Sequence, residues 1–304
     1  MHEPVVLRGL DASNPLAFLA ALGVLRSLTL EWPNDDVRLH WGLADGMLRP
    51  FLTAPVGVDE EGLLEVLIKQ LRGVCDSPAL TFSSDLAVTQ DAFRKVASHA
   101  QEHASARSHL AADFIAAFAS DVIADSKSGI VQDTAWRTMS GAGHQHFLGF
   151  MRVLAAETTM DHLRSALFAP WTYSDPPPSL RWDPMDDRRY ALRWTEPSGD
   201  PIRTVRGANA LAIQGLPLFP TQPKGDTLVT TGFRRIPRQG TFFTWPIWER
   251  PLTLEVVQSL LALRELQDDN PPRQRLRGLG IVEAFRSQRI TQGKYRNFTQ
   301  GVPV

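Results

Sequence analysis

The feature that most constrains the fold is an apolar run at residues 16–28, which is hydrophobic on nearly every face of a helix. Asn14 is a favourable N-cap residue and Pro15 suits the first helical position, so we expect the helix to begin there. A helix that is apolar all round must be covered on most of its sides. Gly23 lies within the run, and we expect another backbone to pack closely against it. The run therefore predicts a central helix of the core.

Short segments on both sides of this helix are typical of strands. Residues 5–7 (Val-Val-Leu) form an apolar segment before it, and residues 37–41 alternate between apolar and polar after it. Strand, helix and strand together open an α/β layer. Arg26 interrupts the apolar stretch and no small-residue cleavage site follows it, so we expect no signal peptide. We also expect no membrane association, because no segment offers the ~20 charge-free apolar residues that a membrane span needs.

Helical periodicity dominates the chain as far as residue 168. Residues 59–71 place leucine and isoleucine side chains on one face, and Gly73 is expected to end that helix. The same periodicity predicts further helical segments at residues 90–120, 137–157 and 160–168, with breaks near residues 140–143 and 157–159. We therefore expect residues 1–170 to be mainly helical after the initial strand-helix-strand unit.

The composition changes at residue 169. Prolines and tryptophans are frequent in residues 170–201, where proline excludes long helices and tryptophan usually packs against a core. We expect ordered extended chain here, leading to a strand at residues 189–194. Beyond it we expect a helix, two strands and a helix, at residues 206–214, 227–233, 241–245 and 254–263. The predicted class is α+β, with an acidic helix-rich part at residues 1–170 and a basic mixed strand and helix part at residues 171–304.

Charge is divided unevenly along the chain. Residues 201–304 contain 15 Lys and Arg against 7 Asp and Glu, whereas the whole chain has a net charge of −1. Residues 1–200 therefore carry −9. Such asymmetry indicates a polyanionic partner. Arginine outnumbers lysine by 13 to 2 in the basic part, which favours bidentate recognition of phosphate or carboxylate.

The basic side chains form three groups along the sequence. The first opens the short helix at residue 206, the second lies on a proline-bent loop between two strands, and the third is close to residue 290. The predicted nucleic-acid contacts are Arg203, Arg206, Asn209, Arg234, Arg235, Arg238, Arg286, Gln288, Arg289, Lys294 and Arg296. Arg203 and Arg206 share a face if the helix begins early enough. Asn209 and Gln288 are candidates for reading base edges, because amides pair bidentately with adenine.

Other interpretations of these residues stay open. Tyr295 and Phe298 interleave with the charges as base-stacking side chains do, but aromatic residues here can equally attach the terminal segment to the core. The arginines can form a solvated basic face, or they can meet an acidic partner or the acidic half of the same chain. A protein-interaction scaffold without nucleic-acid contact is therefore the alternative function.

Histidines and aspartates offer a weaker case for metal chemistry. His144 and His146 are two residues apart in a Gly-Ala-Gly-His-Gln-His segment, and His162 could complete a ligand triad. Flanking helix opposes this reading, because positions i and i+2 point to different sides of a helix. Asp183, Asp186 and Asp187 could bind magnesium in a nuclease, which is the less favoured alternative. Neighbouring arginines favour turn capping and ion pairing instead.

Enzyme signatures and cofactor motifs are missing from the sequence. It contains no nucleophile elbow, P-loop, zinc-protease or kinase motif, so we predict a non-catalytic protein without a metal or cofactor. The single cysteine, Cys75, excludes an intramolecular disulfide and a multi-cysteine zinc site. One cysteine in a chain of this length fits a reducing cytoplasm.

Residues 7–10 (Leu-Arg-Gly-Leu) and 14–26, with their Pro-Leu and Leu-Gly-Val-Leu-Arg sequences, resemble the start of large-subunit-like proteins of type I CRISPR interference complexes. The similarity is to the type I-G set, formerly I-U, and the Trp-containing strand at residues 39–41 matches its layout. Tracts at residues 180–184, 202–209 and 285–289 are similar to stretches in uncharacterised proteins of those loci.

This resemblance implies a subunit of a crRNA-guided DNA surveillance complex. Its implied partners are the other CRISPR effector subunits, the crRNA and target DNA, and its implied location is the cytoplasm. Such a subunit helps to recognise the motif that flanks the target and holds the displaced strand, while guide pairing reads the sequence. No helicase or HD-nuclease motif is present, so the resemblance is to a non-cleaving component.

Overall fold

The computed structural model describes residues 3–82, 85–105, 108–139, 146–186, 203–292 and 295–304. Helices and strands are both abundant, and the fold is α+β as the sequence predicts. The helices are α1 Pro15–Glu31, α2 Glu60–Cys75, α3 Gln90–Glu102, α4 Leu110–Phe118, α5 Phe147–Glu157, α6 Met160–Phe168, α7 Arg206–Gly215, α8 Leu254–Leu261 and α9 Arg273–Gly278. Within the described ranges, no helix combines the length and hydropathy that crossing a bilayer requires.

The strands of the described residues form four antiparallel sheets. They are β1 Val5–Val6, β2 Arg38–Ala44, β3 Met47–Thr53, β4 Ala119–Ala124, β5 Val131–Asp133, β6 Thr221–Lys224, β7 Thr227–Thr230, β8 Phe233–Ile236, β9 Gly240–Trp248, β10 Ile281–Gln292, β11 Tyr295–Phe298 and β12 Val302–Pro303. A three-stranded sheet has the order β1-β3-β2, and a five-stranded sheet has the order β11-β10-β9-β8 with β12 also paired to β10. The remaining sheets are the two-stranded β4-β5 and β6-β7 pairs.

Helix α1 is the buried central helix that the sequence predicts. The Asn14 side chain accepts the backbone N–H groups of Leu16 and Ala17, and Pro15 is the first helical residue. Every residue from 15 to 28 is buried, including Arg26, whose guanidinium pairs with Asp113 at 2.6 Å. The strands β1 and β2 that flank α1 are both antiparallel to β3, which lies between them.

The close backbone approach expected at Gly23 occurs against α7. A Cβ atom at Gly23 would lie 1.9 Å from the Leu211 carbonyl oxygen, and one at Gly215 would lie 2.6 Å from the Leu19 carbonyl oxygen. On another side of α7, a Cβ atom at Gly207 would lie 2.2 Å from the His162 carbonyl oxygen in α6. Three glycines therefore let α7, which is buried along its whole length, pack tightly against α1 and α6.

Several predicted elements differ from the structure. The helix expected over residues 90–120 is two helices, α3 and α4, and β4 begins directly after α4. In the pattern expected over residues 137–157, residues 137–139 are not helical, and α5 begins at Phe147. The strand expected over residues 227–233 is divided into β7 and β8 because Gly232 has a φ of +79°. Helix α2 continues past Gly73 to Cys75, and the strand predicted at residues 189–194 lies outside the described residues.

Aromatic side chains join the first and last parts of the chain in one core. Phe18 of α1 packs against Trp245 and Trp248 of β9, with ring centroids 5.8 and 6.4 Å apart. Trp182, from the proline-rich segment, is buried and donates its indole N–H to the Trp136 carbonyl at 2.9 Å. The expectation that tryptophan anchors this segment is confirmed at Trp182, and the boundary placed at residue 170 stays a prediction.

Candidate nucleic-acid interface

The first arginine group lies at the N-terminus of α7, and its side chains bind other parts of the same chain. Helix α7 begins at Arg206, so Arg203 precedes it and the two do not share a helical face. The buried Arg206 guanidinium pairs with the Glu157 carboxylate at 2.9 Å and donates to the Pro177 carbonyl at 3.3 Å. The exposed Arg203 donates to the Ser174 carbonyl at 3.0 Å. Arg206 therefore links α7 to the end of α5.

Asn209 is fully buried, and its amide is engaged on both sides. Its Oδ1 accepts the Leu180 N–H at 2.9 Å, and its Nδ2 donates to the Thr204 hydroxyl at 3.0 Å and to the Val205 carbonyl at 3.1 Å. The side chain thus joins α7 to the segment that carries Trp182. No amide edge is presented to a base at this position.

Arg234 and Arg286 lie on one face of the five-stranded sheet and hold a loop. Arg234 pairs with the Asp269 carboxylate at 2.9 Å and donates to the Gln267 carbonyl. Arg286 donates to the Thr244 hydroxyl and to the carbonyls of residues 266, 268 and 269. Burial, together with the nearby Arg234 guanidinium, lowers the pKa of Arg286. These two arginines fix the chain at residues 266–269 against the sheet.

The opposite face of the five-stranded sheet carries three arginines from three different strands, namely Arg235, Arg289 and Arg296. Thr241 of β9 pairs with Arg235 on one side and with Arg289 on the other, while Arg296 of β11 pairs with Thr291 of β10. Directly paired residues of antiparallel strands point to the same face, and so do residues two apart. The strand register therefore brings the three guanidinium groups to one end of this face, beside the buried aromatic core.

These three arginines line a surface cavity of about 720 Å³, which we call the arginine cavity. The residues that line it are Arg235, Gln239, Gly240, Thr241, Gln288, Arg289, Ile290, Thr291 and Arg296. Among these described lining residues, none is acidic. The volume lies within the range of about 300–1,000 Å³ that is usual for sites that bind small ligands.

Burial and like-charge repulsion disfavour the charged form of an arginine in the arginine cavity. Burial, and then the neighbouring Arg296 guanidinium, lower the pKa of Arg289 to about 10, while Asp133 acts in the opposite direction. Arg289 and Arg296 both donate to one acceptor, the Arg137 carbonyl, at 3.0 and 3.2 Å. The Arg289 Nε is shielded from solvent and has no partner among the described residues. A bound anion would supply the missing acceptors and offset the repulsion.

Arg137 positions this acceptor, and sequence reasoning missed it. Its buried guanidinium pairs with Asp133 and with Asp85, the latter at 3.1 Å. Asp85 also accepts the backbone N–H groups of Phe147 and Leu148 at 3.2 and 2.8 Å, at the start of α5. Asp85 is 52 residues before Arg137, so no local pattern could have connected them.

Of the other predicted nucleic-acid contacts that the structure describes, only one lines the arginine cavity. Arg238 is exposed in the turn between β8 and β9, with a φ of +65°. Gln288 lines the arginine cavity, but its Nε2 donates to the Gln239 carbonyl at 2.7 Å. Lys294 lies outside the described residues. Phe298 is fully buried with its ring centroid 5.5 Å from that of Trp136, so it anchors the chain to the core and is not open to a base.

The described histidines and aspartates that were candidate metal ligands cap helices or accept hydrogen bonds from neighbouring residues. His162 completes a capping box with Thr159 at the start of α6, and His146 is the exposed N-cap position of α5. Asp183 is buried and accepts N–H groups from Asn14 and Met185, while Asp186 accepts the Ser179 hydroxyl. His144 and Asp187 lie outside the described residues. In the described part of the chain, no three His, Cys, Asp or Glu side chains are grouped to hold a metal ion.

The chain matches no known family model, and no curated protein resembles it closely enough to count as a match.

Proposed function

We propose that this protein binds the phosphate backbone of a nucleic acid at the arginine cavity. The supporting observation is the convergence of three guanidinium groups, from three strands, around a cavity whose described lining contains no carboxylate. Arginine recognises phosphate through paired N–H donors, and the Arg289 Nε donates to no described residue. Burial, and then the neighbouring Arg296 guanidinium, lower the pKa of Arg289, and an anion here would relieve the repulsion between the two arginines.

The role that we propose is that of a non-catalytic subunit in a crRNA-guided DNA surveillance complex of the cytoplasm. The resemblance of residues 7–10 and 14–26 to large-subunit-like CRISPR proteins supplies this setting. In such a complex, base pairing with the guide RNA recognises the target sequence, and the protein contacts the phosphate backbone of the nucleic acid. The internal hydrogen bonds of Asn209 agree with backbone contact, since its buried amide is not free to read a base. The partners in this proposal are the other effector subunits, the crRNA and duplex or displaced-strand DNA.

Binding is tested with fluorescein-labelled single-stranded DNA and the corresponding duplex, measured by fluorescence anisotropy. Arg235→Gln is the cleanest variant, because Arg235 is exposed and no hydrogen bond or ion pair ties its side chain to another described residue. We expect Arg235→Gln and Arg296→Gln each to weaken binding by about tenfold, the effect of losing one charge-assisted contact of ~1.4 kcal/mol.

The matched control is Arg250→Gln. Arg250 is exposed and lies just beyond Trp248, at the other end of β9 from Thr241. Those two ends are about 23 Å apart along an extended strand. Equal loss of affinity in the control and the cavity variants would reject the cavity as the binding site. Retention of a guide RNA and of backbone subunits on purification from the native host tests the proposed complex separately.

A further inference from the structure

A second and larger cavity lies beside the open edge of the five-stranded sheet. Its volume is about 1,020 Å³, and we call it the edge cavity. One wall is β8 with the preceding residues 231 and 232, another is the β6-β7 hairpin, and a third is the segment 261–269. Arg235 lines this cavity as well as the arginine cavity, so the two adjoin at that residue.

On the side of the edge cavity, the backbone of β8 pairs with no described strand. In the order β11-β10-β9-β8, β9 is the only described strand that pairs with β8. The Thr244 N–H binds the Gly232 carbonyl at 3.0 Å, so the alternation of an antiparallel pair turns the backbone groups of Arg234 towards β9. The backbone groups of Phe233 and Arg235 then face away from β9. The edge of β8 thus offers N–H and C=O groups to an additional strand.

The walls of the edge cavity distinguish this edge from one that simply faces solvent. Arg234 and Arg286 tie residues 266–269 to the sheet, which builds one wall next to β8. Gln267 lies in that wall, and both its side-chain Nε2 and Oε1 are shielded from solvent without a partner among the described residues.

The charges around the edge cavity indicate the kind of ligand. Its lining includes Lys224, Arg234, Arg235 and Arg264 against Asp268 and Asp269. Arg234 is neutralised by Asp269. Lys224 and Arg264 are exposed and have no ion-pair partner among the described residues, and the same holds for Arg235. The free charge is therefore mainly positive, which complements carboxylates.

We infer that the edge cavity binds an extended acidic peptide segment of a partner protein, which adds to β8 as a further strand. Main-chain hydrogen bonds to Phe233 and Arg235 would supply affinity, while Lys224 and Arg264 would select for acidic side chains. The inference does not depend on nucleic-acid binding, because it rests on the edge of β8 and on the charges that line the edge cavity. Since Arg235 belongs to both cavities, the bound peptide lies next to the arginine cavity.

The probe is a short acetylated and amidated peptide of alternating glutamate and valine, labelled with fluorescein and titrated with the full-length protein. We expect saturable binding. Methylation of every amide nitrogen of the peptide should abolish binding, because neither edge of the peptide then keeps a donor for strand pairing. A peptide of alternating lysine and valine should not bind. Lack of saturable binding by the acidic peptide, or equal binding of its methylated form, would overturn the inference.

Two substitutions at Arg235 separate backbone pairing from charge. Arg235→Gln and Arg235→Pro both remove the cation, but only proline removes the N–H that faces the cavity. Proline is tolerated on the open side of an edge strand. We expect Arg235→Pro to bind the peptide at least tenfold more weakly than Arg235→Gln, while both bind DNA equally. Equal peptide binding by the two variants would overturn the inference.

The charge contribution is tested away from the arginine cavity. Lys224→Glu and Arg264→Glu should each weaken peptide binding severalfold, whereas the distant control Arg250→Glu should not. If instead single-stranded DNA displaces the peptide and the Lys224 and Arg264 variants lose DNA affinity, the edge cavity holds nucleic acid and the peptide assignment is wrong. The proposed function would survive that result.

Discussion

Replacing Gly23 with alanine tests the packing that defines the core. The added Cβ would lie 1.9 Å from the Leu211 carbonyl oxygen, whereas ordinary van der Waals contact begins at 3.4 Å. Helices α1 and α7 would therefore have to separate by about 1.5 Å at their closest point. The obstacle is backbone and not a flexible side chain, so rotamer changes cannot relieve it.

The cost can be worked out from this geometry. Overpacking a core usually costs about 1–3 kcal/mol, and separating two helices that are buried on all sides also loses dispersion contacts along their interface. Alanine gains about 1 kcal/mol of helix propensity over glycine, which offsets part of this loss. We expect the Gly23→Ala variant to lose about 1–3 kcal/mol of unfolding free energy, because the lost dispersion contacts offset the gain in helix propensity.

The matched control is Gly73→Ala in α2. Gly73 is exposed, and nothing lies within 4 Å of the position that its Cβ would take. This variant should gain about 0.5–1 kcal/mol, because alanine restricts the unfolded chain and favours helix. Urea unfolding followed by tryptophan fluorescence measures both variants. If Gly23→Ala is as stable as the wild type or the Gly73→Ala control, the close contact between α1 and α7 is not real.

Three further predictions concern stability, pH and proton uptake. Asn209→Ala should lower the free energy of unfolding in urea by about 1–3 kcal/mol without changing the DNA affinity of the folded protein, because it leaves the buried Leu180 N–H without an acceptor. An Asn209→Ala variant of normal stability would contradict the hydrogen bonds that we assign. Burial raises the pKa of Asp183 above its usual 3.8, so its ionisation disfavours the folded state. The stability that the protonated Asp183 carboxyl contributes is fully present below its pKa in the unfolded chain. It is lost as pH rises through the pKa of the same carboxyl in the folded protein. The wild type should therefore lose stability relative to Asp183→Asn as pH rises from about 4, and a constant difference between the two in urea titrations would refute this. Finally, the pKa of Arg289 is about 10, so DNA binding at pH near 10 should take up protons; calorimetry in buffers of different ionisation enthalpy measures this uptake, which Arg289→Gln should remove.

Features set by local chemistry could be predicted from the sequence. The apolar run of α1, its Asn14 cap and the close contact at Gly23 follow from periodicity and steric size within one segment. The ends of α6 and α7 were likewise predictable to within a residue or two. The break between β7 and β8 was not, because a glycine can continue a strand or end it, and only the φ of Gly232 decides.

The candidate site needed information that no single segment contains. Arg235, Arg289 and Arg296 meet because Thr241 pairs with both neighbouring strands, and that register depends on pairing between distant residues. The long strand β10 was missed because its arginines suggested a basic motif more strongly than its side-chain alternation suggested a strand. Arg206 was expected at a surface, but a carboxylate 49 residues away in sequence holds it inside.

The salt dependence of DNA affinity tests the central claim most directly. Each phosphate contact contributes about 0.7 to the slope of log K against log salt for single strands and about 0.9 for duplex. If Arg235 and Arg296 both contact phosphate, the double variant Arg235→Gln/Arg296→Gln should have a slope shallower than the wild type by about 1.4 or 1.8, respectively. A double variant whose slope equals that of the wild type would show that the arginine cavity does not hold a phosphate backbone.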